Sequence, residues 1–94
     1  MTRLFGVIGH PIHHSLSPAM HNAALGALRC DALYAPFDVP PRVLKPILRA
    51  LILAGVEGLN VTVPLKERVV PLMDRLEGSA RAIGAVNTIV VRRR

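Results

Sequence analysis

Three short clusters in this 94-residue chain hold the side chains best suited to chemistry. The first is His13-His14-Ser15-Leu16-Ser17-Pro18. Two serines one residue apart stand directly ahead of a proline, a residue that suits the first position of a helix because no backbone N–H is needed there. Their hydroxyls would lie beside free backbone N–H groups and the positive end of a helix dipole, a setting that fits a carboxylate or a phosphate. A plain N-cap at Ser17 and an ordinary loop role for Ser15 fit the same spacing. The second cluster is Asn60-Val61-Thr62-Val63-Pro64-Leu65-Lys66. Unpaired polar groups inside a buried strand cost about 1–3 kcal/mol each, so Asn60 and Thr62 need partners. A ligand with several hydroxyls would supply them, and Lys66 just beyond the strand would serve that ligand as acid, base or charge stabiliser. Bonds to a neighbouring loop, with Lys66 a surface lysine, are the other reading. The third cluster, Ala85-Val86-Asn87-Thr88, brings one more amide to a turn.

These clusters need a scaffold that gathers them, and the patterning predicts one. Residues 4–9 form a short apolar run closed by glycine, read as a buried first strand. A helix should follow from Ser17 to about Leu28, and residues 33–39 read as a second strand ended by Pro40-Pro41. Leu44, Ile47, Leu48, Leu51 and Ile52 recur at helical spacing while Arg42, Lys45 and Arg49 fall on the opposite, solvated side. Pro46 places the start of that helix close before it, and Gly55 is a natural stop. Residues 58–63 read as a third strand, with Asn60 and Thr62 on one face and Val61 and Val63 on the other. A short or broken helix is expected over 66–76, another over 79–83, and a last strand over 86–91. This alternation predicts an α/β fold, a three-layer α/β/α arrangement around a mostly parallel sheet with right-handed crossovers. In such sheets ligands gather at the carboxyl ends of the strands, where all three clusters fall.

Composition narrows the function classes. With 51% apolar residues and a mean hydropathy of +0.40, the chain has the apolar surface to fold. The apolar run over residues 51–56 is far short of the roughly 20 residues that span a bilayer, so no membrane partner is expected. The N-terminus lacks the apolar segment and cleavage site of a secretory signal, and the cytoplasm is the expected compartment. A single cysteine, Cys30, fits a reducing compartment. His10, His13, His14 and His21 lack the acidic or cysteine partners and the spacing of a metal site; His21, four residues after Ser17, would more simply support the loop. The net charge of +6 and pI near 11.1 invite a nucleic-acid reading. Yet three of the twelve basic residues are Arg92, Arg93 and Arg94, and the other nine against six acidic ones leave +3. Aromatic residues at 3% leave little for bases to stack on, so nucleic acid is not an expected partner. Neither GxGxxG after a strand nor GxxxxGK[ST] is present.

Taken in order, GVIGHPIHHSLSPAMHN, GLNVTVPLKE and AIGAVNTIV resemble the N-terminal substrate domain of shikimate dehydrogenase. The resemblance covers residues 4–91 and treats residues 1–94 as one substrate-binding domain. It implies the reversible reduction of 3-dehydroshikimate to shikimate with NADPH, on the path to chorismate and the aromatic amino acids. By that resemblance Ser15 and Ser17 bind the substrate carboxylate, Asn60 and Thr62 line the pocket, Lys66 is the catalytic lysine, and Asn87 holds a substrate hydroxyl. Ser17, in place of threonine, favours shikimate over quinate. The NADP-binding Rossmann domain and the aspartate that works with the lysine have no counterpart in these residues. The resemblance therefore implies that the 94 residues are inactive alone. A free-standing, non-catalytic module that binds a small molecule or self-associates through an exposed sheet edge is the alternative.

Overall fold

The computed structural model describes residues 2–12, 17–27, 29 and 31–92. Strand β1, Arg3–Gly9, leads through the first cluster to helix α1, Ser17–Ala27, and on to β2, Ala32–Asp38. A 3-10 turn at Pro41–Val43 opens helix α2, Leu44–Leu53, and β3 follows at Val56–Val61. A second 3-10 turn, Val70–Leu72, precedes the short helix α3, Gly78–Ile83, and β4, Thr88–Val90. The strand order is β2-β1-β3-β4, with β1 parallel to both β2 and β3, and β4 antiparallel to β3. The expected α/β class and mostly parallel sheet are what the chain adopts.

Alternation along the strands divides the buried residues between two faces. Ile8, Val56, Leu59, Val61 and Ile89 face α2, whose Leu44 and Leu48 complete a core that also takes in Val39, Leu65 and Val69. Phe5, Val7 and Tyr34 share the opposite face with Ile12. Helix α2 begins two residues before Pro46, so the proline's missing N–H falls in the first turn, where no intrahelical bond is lost. It ends at Leu53, and Gly55 just past its cap has a φ of 103°, in the left-handed region that favours glycine. Arg42, Lys45 and Arg49 are exposed, as the helical spacing predicts.

Helix α1 covers the outer edge of β2. The Asn22 side chain accepts from the Tyr34 backbone N–H at 2.8 Å and donates to the Tyr34 carbonyl at 2.7 Å, the two bonds a neighbouring strand would make. Removing them leaves both backbone groups unpaired on an edge strand. Asn22→Ala is thus expected to lower stability by about 1–3 kcal/mol and to promote pairing between copies along β2. Urea unfolding together with sedimentation velocity checks this; an unchanged midpoint and a concentration-independent monomer would show that the edge needs no cover.

Three expectations are corrected. The third strand is Val56–Val61 rather than residues 58–63. A register shift between Leu4 and Phe5 leaves Glu57 without an opposite residue, which lets Val56 pair with Leu4 ahead of the irregularity. Beyond Val61 the Thr62 N–H still reaches the Ile8 carbonyl, but a turn from Thr62 to Leu65 folds the chain over. Val63 therefore does not join Val61 inside: it is 68% exposed. The short or broken helix expected over 66–76 narrows to the three-residue 3-10 segment Val70–Leu72, reached through turns, because Pro71 has no N–H to continue an α-helical ladder. The last strand is only Thr88–Val90, since the Val86 N–H is taken by the Lys66 carbonyl at 2.8 Å.

Candidate functional site

The carboxyl ends of β1, β2 and β3 are tied together by main-chain and side-chain bonds. The Val39 N–H meets the Gly9 carbonyl at 2.8 Å, and the His10 N–H meets the Val63 carbonyl at 3.1 Å. His10 Nδ1 lies 2.8 Å from Asp38 Oδ1, which links the ends of β1 and β2 by side chains as well. Gly9 is required by close approach: a Cβ there would collide with the Thr62 methyl group and stand 3.2 Å from Ile12 Cδ1. Absence of a side chain at position 9 is what lets Thr62 sit beside the end of β1.

Asn60 is opposite Val7 on one side and Thr88 on the other, on the face that carries Tyr34. The Tyr34 hydroxyl donates to Asn60 Oδ1 at 2.6 Å, and Asn60 Nδ2 is 3.3 Å from Thr88 Oγ1. The His21 ring stacks on Tyr34 with centroids 4.2 Å apart and planes 10° from parallel. Burial pushes the Tyr34 hydroxyl's pKa above its ordinary value, so it stays protonated at neutral pH. These groups line a groove of about 460 Å³, together with Phe5, Gly58 and Val90.

Lys66 is half-buried and lines a separate depression of about 450 Å³ with Val63, Pro64, Arg68 and Ala85. Two main-chain bonds join its segment to the third cluster: the Val61 N–H meets the Asn87 carbonyl at 2.7 Å, and the Val86 N–H meets the Lys66 carbonyl. Leu65, fully buried, anchors the turn immediately before the lysine. The structure thus gathers Asn60, Thr62, Lys66 and Asn87 at one rim, at the carboxyl ends of the parallel strands. It does not put them in a single hollow, since the groove takes in Asn60 but neither Lys66, Thr62 nor Asn87.

Of the other predicted residues, Ser15 lies outside the described residues with His13, His14, Leu16 and Cys30, and Ser17 opens α1. His21 makes its ring contact with Tyr34 on β2. Two contributors escaped sequence reasoning, Tyr34 and Asn22, while Thr88 stood in the third cluster with no role given to it. Tyr34 is the chain's one tyrosine and sits mid-strand, the only local hint of a special role. Asn22 reads as any polar helix residue until β2 is placed beside it. Among the described residues no three His, Cys, Asp or Glu side chains gather as a metal ion would need, and no helix is long and apolar enough to cross a membrane.

Residues 7–89 match the family model described as the shikimate dehydrogenase substrate binding domain. An NADP(+) shikimate dehydrogenase of Rubrobacter xylanophilus is 54% identical over 90 residues, 96% of this chain and 32% of that protein. The crystal structure of the Thermus thermophilus shikimate 5-dehydrogenase in complex with shikimate superposes with a TM-score of 0.89 at 42% identity, over 95% of this chain and 34% of that one. The ligand-free 5-ketofructose reductase of a Gluconobacter strain superposes with a TM-score of 0.94 at 29% identity, over 98% of this chain and 33% of that one. The chain spans about a third of the length of the curated relatives it matches.

Proposed function

Because the chain belongs to the shikimate dehydrogenase substrate-binding domain family, we propose that it forms the substrate-binding part of an NADP-dependent shikimate dehydrogenase, which interconverts 3-dehydroshikimate and shikimate. The observation that carries this reading is the pair of main-chain bonds, Val61 to Asn87 and Val86 to Lys66, that brings the second and third clusters to one rim. In this reading Ser15 and Ser17 hold the substrate carboxylate, Asn60, Thr62 and Asn87 bond its ring oxygens, and Lys66 acts at the oxygen where the proton moves.

Bound NADPH supplies the hydride. No stretch of these 94 residues has the glycine-rich turn after a strand that cradles a dinucleotide, so its binding is assigned to the other two-thirds of the family's length. Lys66 can act in either of two ways. An ordinary lysine, with a pKa near 10.4, is a poor base at neutral pH but a good stabiliser of negative charge on a developing alkoxide. A carboxylate elsewhere would then take the proton. Self-association belongs to this proposal as well, with the outer edge of β4, where Val90 is 65% exposed, as its surface.

A chimaera that joins these residues to the remaining two-thirds of the Rubrobacter relative is expected to reduce 3-dehydroshikimate with NADPH, while the 94 residues alone give no turnover. Changing Ser15 and Ser17 together to alanine should raise the chimaera's KM at least tenfold. A folded chimaera without turnover would sink the proposed activity; a KM indifferent to both serines would sink the carboxylate assignment. Reduction of 5-ketofructose in preference to 3-dehydroshikimate would move the reading to the Gluconobacter enzyme's substrate.

A further inference from the structure

We propose that Tyr34 is a positioning residue that turns Asn60 into a hydrogen-bond donor toward the ligand, so that this point of the site takes an acceptor oxygen. The proposal rests on the substrate-binding role given to Asn60 above, and it specifies which end of the amide does the binding.

An asparagine amide has an acceptor end and a donor end, and its neighbours decide which is free. The 2.6 Å separation between the Tyr34 hydroxyl and Asn60 Oδ1 suits an O–H···O bond, whereas the reversed amide would place an N–H···O pair below the usual 2.7 Å. Asn60 Oδ1 is therefore engaged by the phenol. Its Nδ2 has one proton directed at Thr88 Oγ1, 3.3 Å away, and a second proton to spare. The Thr88 hydroxyl, accepting that bond, keeps its own proton. Both groups thus face the groove as donors, which suits a carbonyl or hydroxyl oxygen and disfavours an aliphatic C–H at the same point.

Tyr34 is held well enough to enforce this. Its residue is 5% exposed, its ring lies against His21, and its backbone N–H and carbonyl are both bonded by Asn22. With ring and backbone fixed, the hydroxyl has a defined aim, and Asn60 need not reorganise when a ligand arrives.

The test reads the amide by NMR in the 94-residue chain and measures binding in the chimaera, with shikimate as the probe at millimolar concentration. In the unliganded chain the Asn60 side-chain amide protons should show stronger cross-relaxation to the Thr88 methyl than to the Tyr34 ring, and Tyr34→Phe should abolish that preference while backbone shifts away from residues 34 and 60 stay in place. Tyr34→Phe is expected to weaken shikimate binding about 5- to 10-fold, the loss of roughly one hydrogen bond. Asn60→Asp keeps an acceptor for the phenol but has no N–H to offer, and should weaken binding at least tenfold. Amide protons closer to the Tyr34 ring, an amide unchanged in Tyr34→Phe, or undiminished binding by Asn60→Asp would each overturn the proposal. If the amide is locked as described and the folded chimaera ignores shikimate, the orientation stands and the shikimate reading fails.

Discussion

Lys66→Ala in the chimaeric dehydrogenase is expected to lower kcat by roughly 10²–10⁴-fold, the range that a positioned acid, base or charge stabiliser contributes, with KM changed much less. The split follows from the role proposed for the lysine: a cation at the oxygen whose charge develops during hydride transfer would interact more strongly in the transition state than in the bound substrate. The fold should survive, because the lysine's structural bond runs from its backbone carbonyl to the Val86 N–H and not from its side chain. Lys66→Arg separates the two chemical roles. An arginine keeps the positive charge but does not release its proton, so partial recovery of kcat would indicate charge stabilisation and none would indicate proton transfer. Steady-state kinetics with 3-dehydroshikimate and NADPH gives the answer, and a loss in kcat below tenfold for Lys66→Ala would remove the lysine from the chemistry.

Leu65→Ala is expected to cost about 2–5 kcal/mol, the range for truncating a buried leucine to alanine. That is a large share of the roughly 5–15 kcal/mol that stabilises a domain of ordinary size. Leu65 is 0% exposed and belongs to the core formed by Ile8, Leu59, Val69 and Ile89. The segment around it lies outside any helix or strand, so this buried side chain and the main-chain bonds from Val69 and Val86 hold the turn that carries Lys66. The substitution should therefore shift the urea midpoint and, in the chimaera under conditions where it remains folded, lower kcat by loosening the lysine. A stability loss under about 1 kcal/mol would mean that the turn collapses into the space and is positioned by its main-chain bonds alone.

Much of the scaffold is legible residue by residue. The apolar run ending at Gly9, the helical recurrence from Leu44 to Ile52 and the stop at Gly55 are local signals, and the chain folds as they indicate. Alternation likewise puts Asn60 and Thr62 on one face, beside Val7 and Gly9 of β1. The shift at Glu57 is not legible, because it arises from how β3 meets β1 and no residue type announces it. Nor is the fate of residues 65–76, where apolar positions at near-helical spacing are used to bury Leu65 and Val69 from a turn. The antiparallel sense of β4 depends on where α3 delivers the chain, a property of the assembled layers.

The same division runs through the candidate site. Residue types and order along the sequence determined the family and pointed to Asn60, Thr62, Lys66 and Asn87, which the fold brings to one rim. Side-chain chemistry and helix-terminus physics are local, and they can be read wherever the residues occur. Only the tertiary structure decided which end of Asn60 is free, because that depends on a tyrosine 26 positions away and on a threonine 28 positions away. Tyr34 in turn is aimed by His21 and Asn22 from a helix that precedes its strand. Pairings across the sheet have no local periodicity to betray them, and they exist only once β1, β2, β3 and β4 are in register.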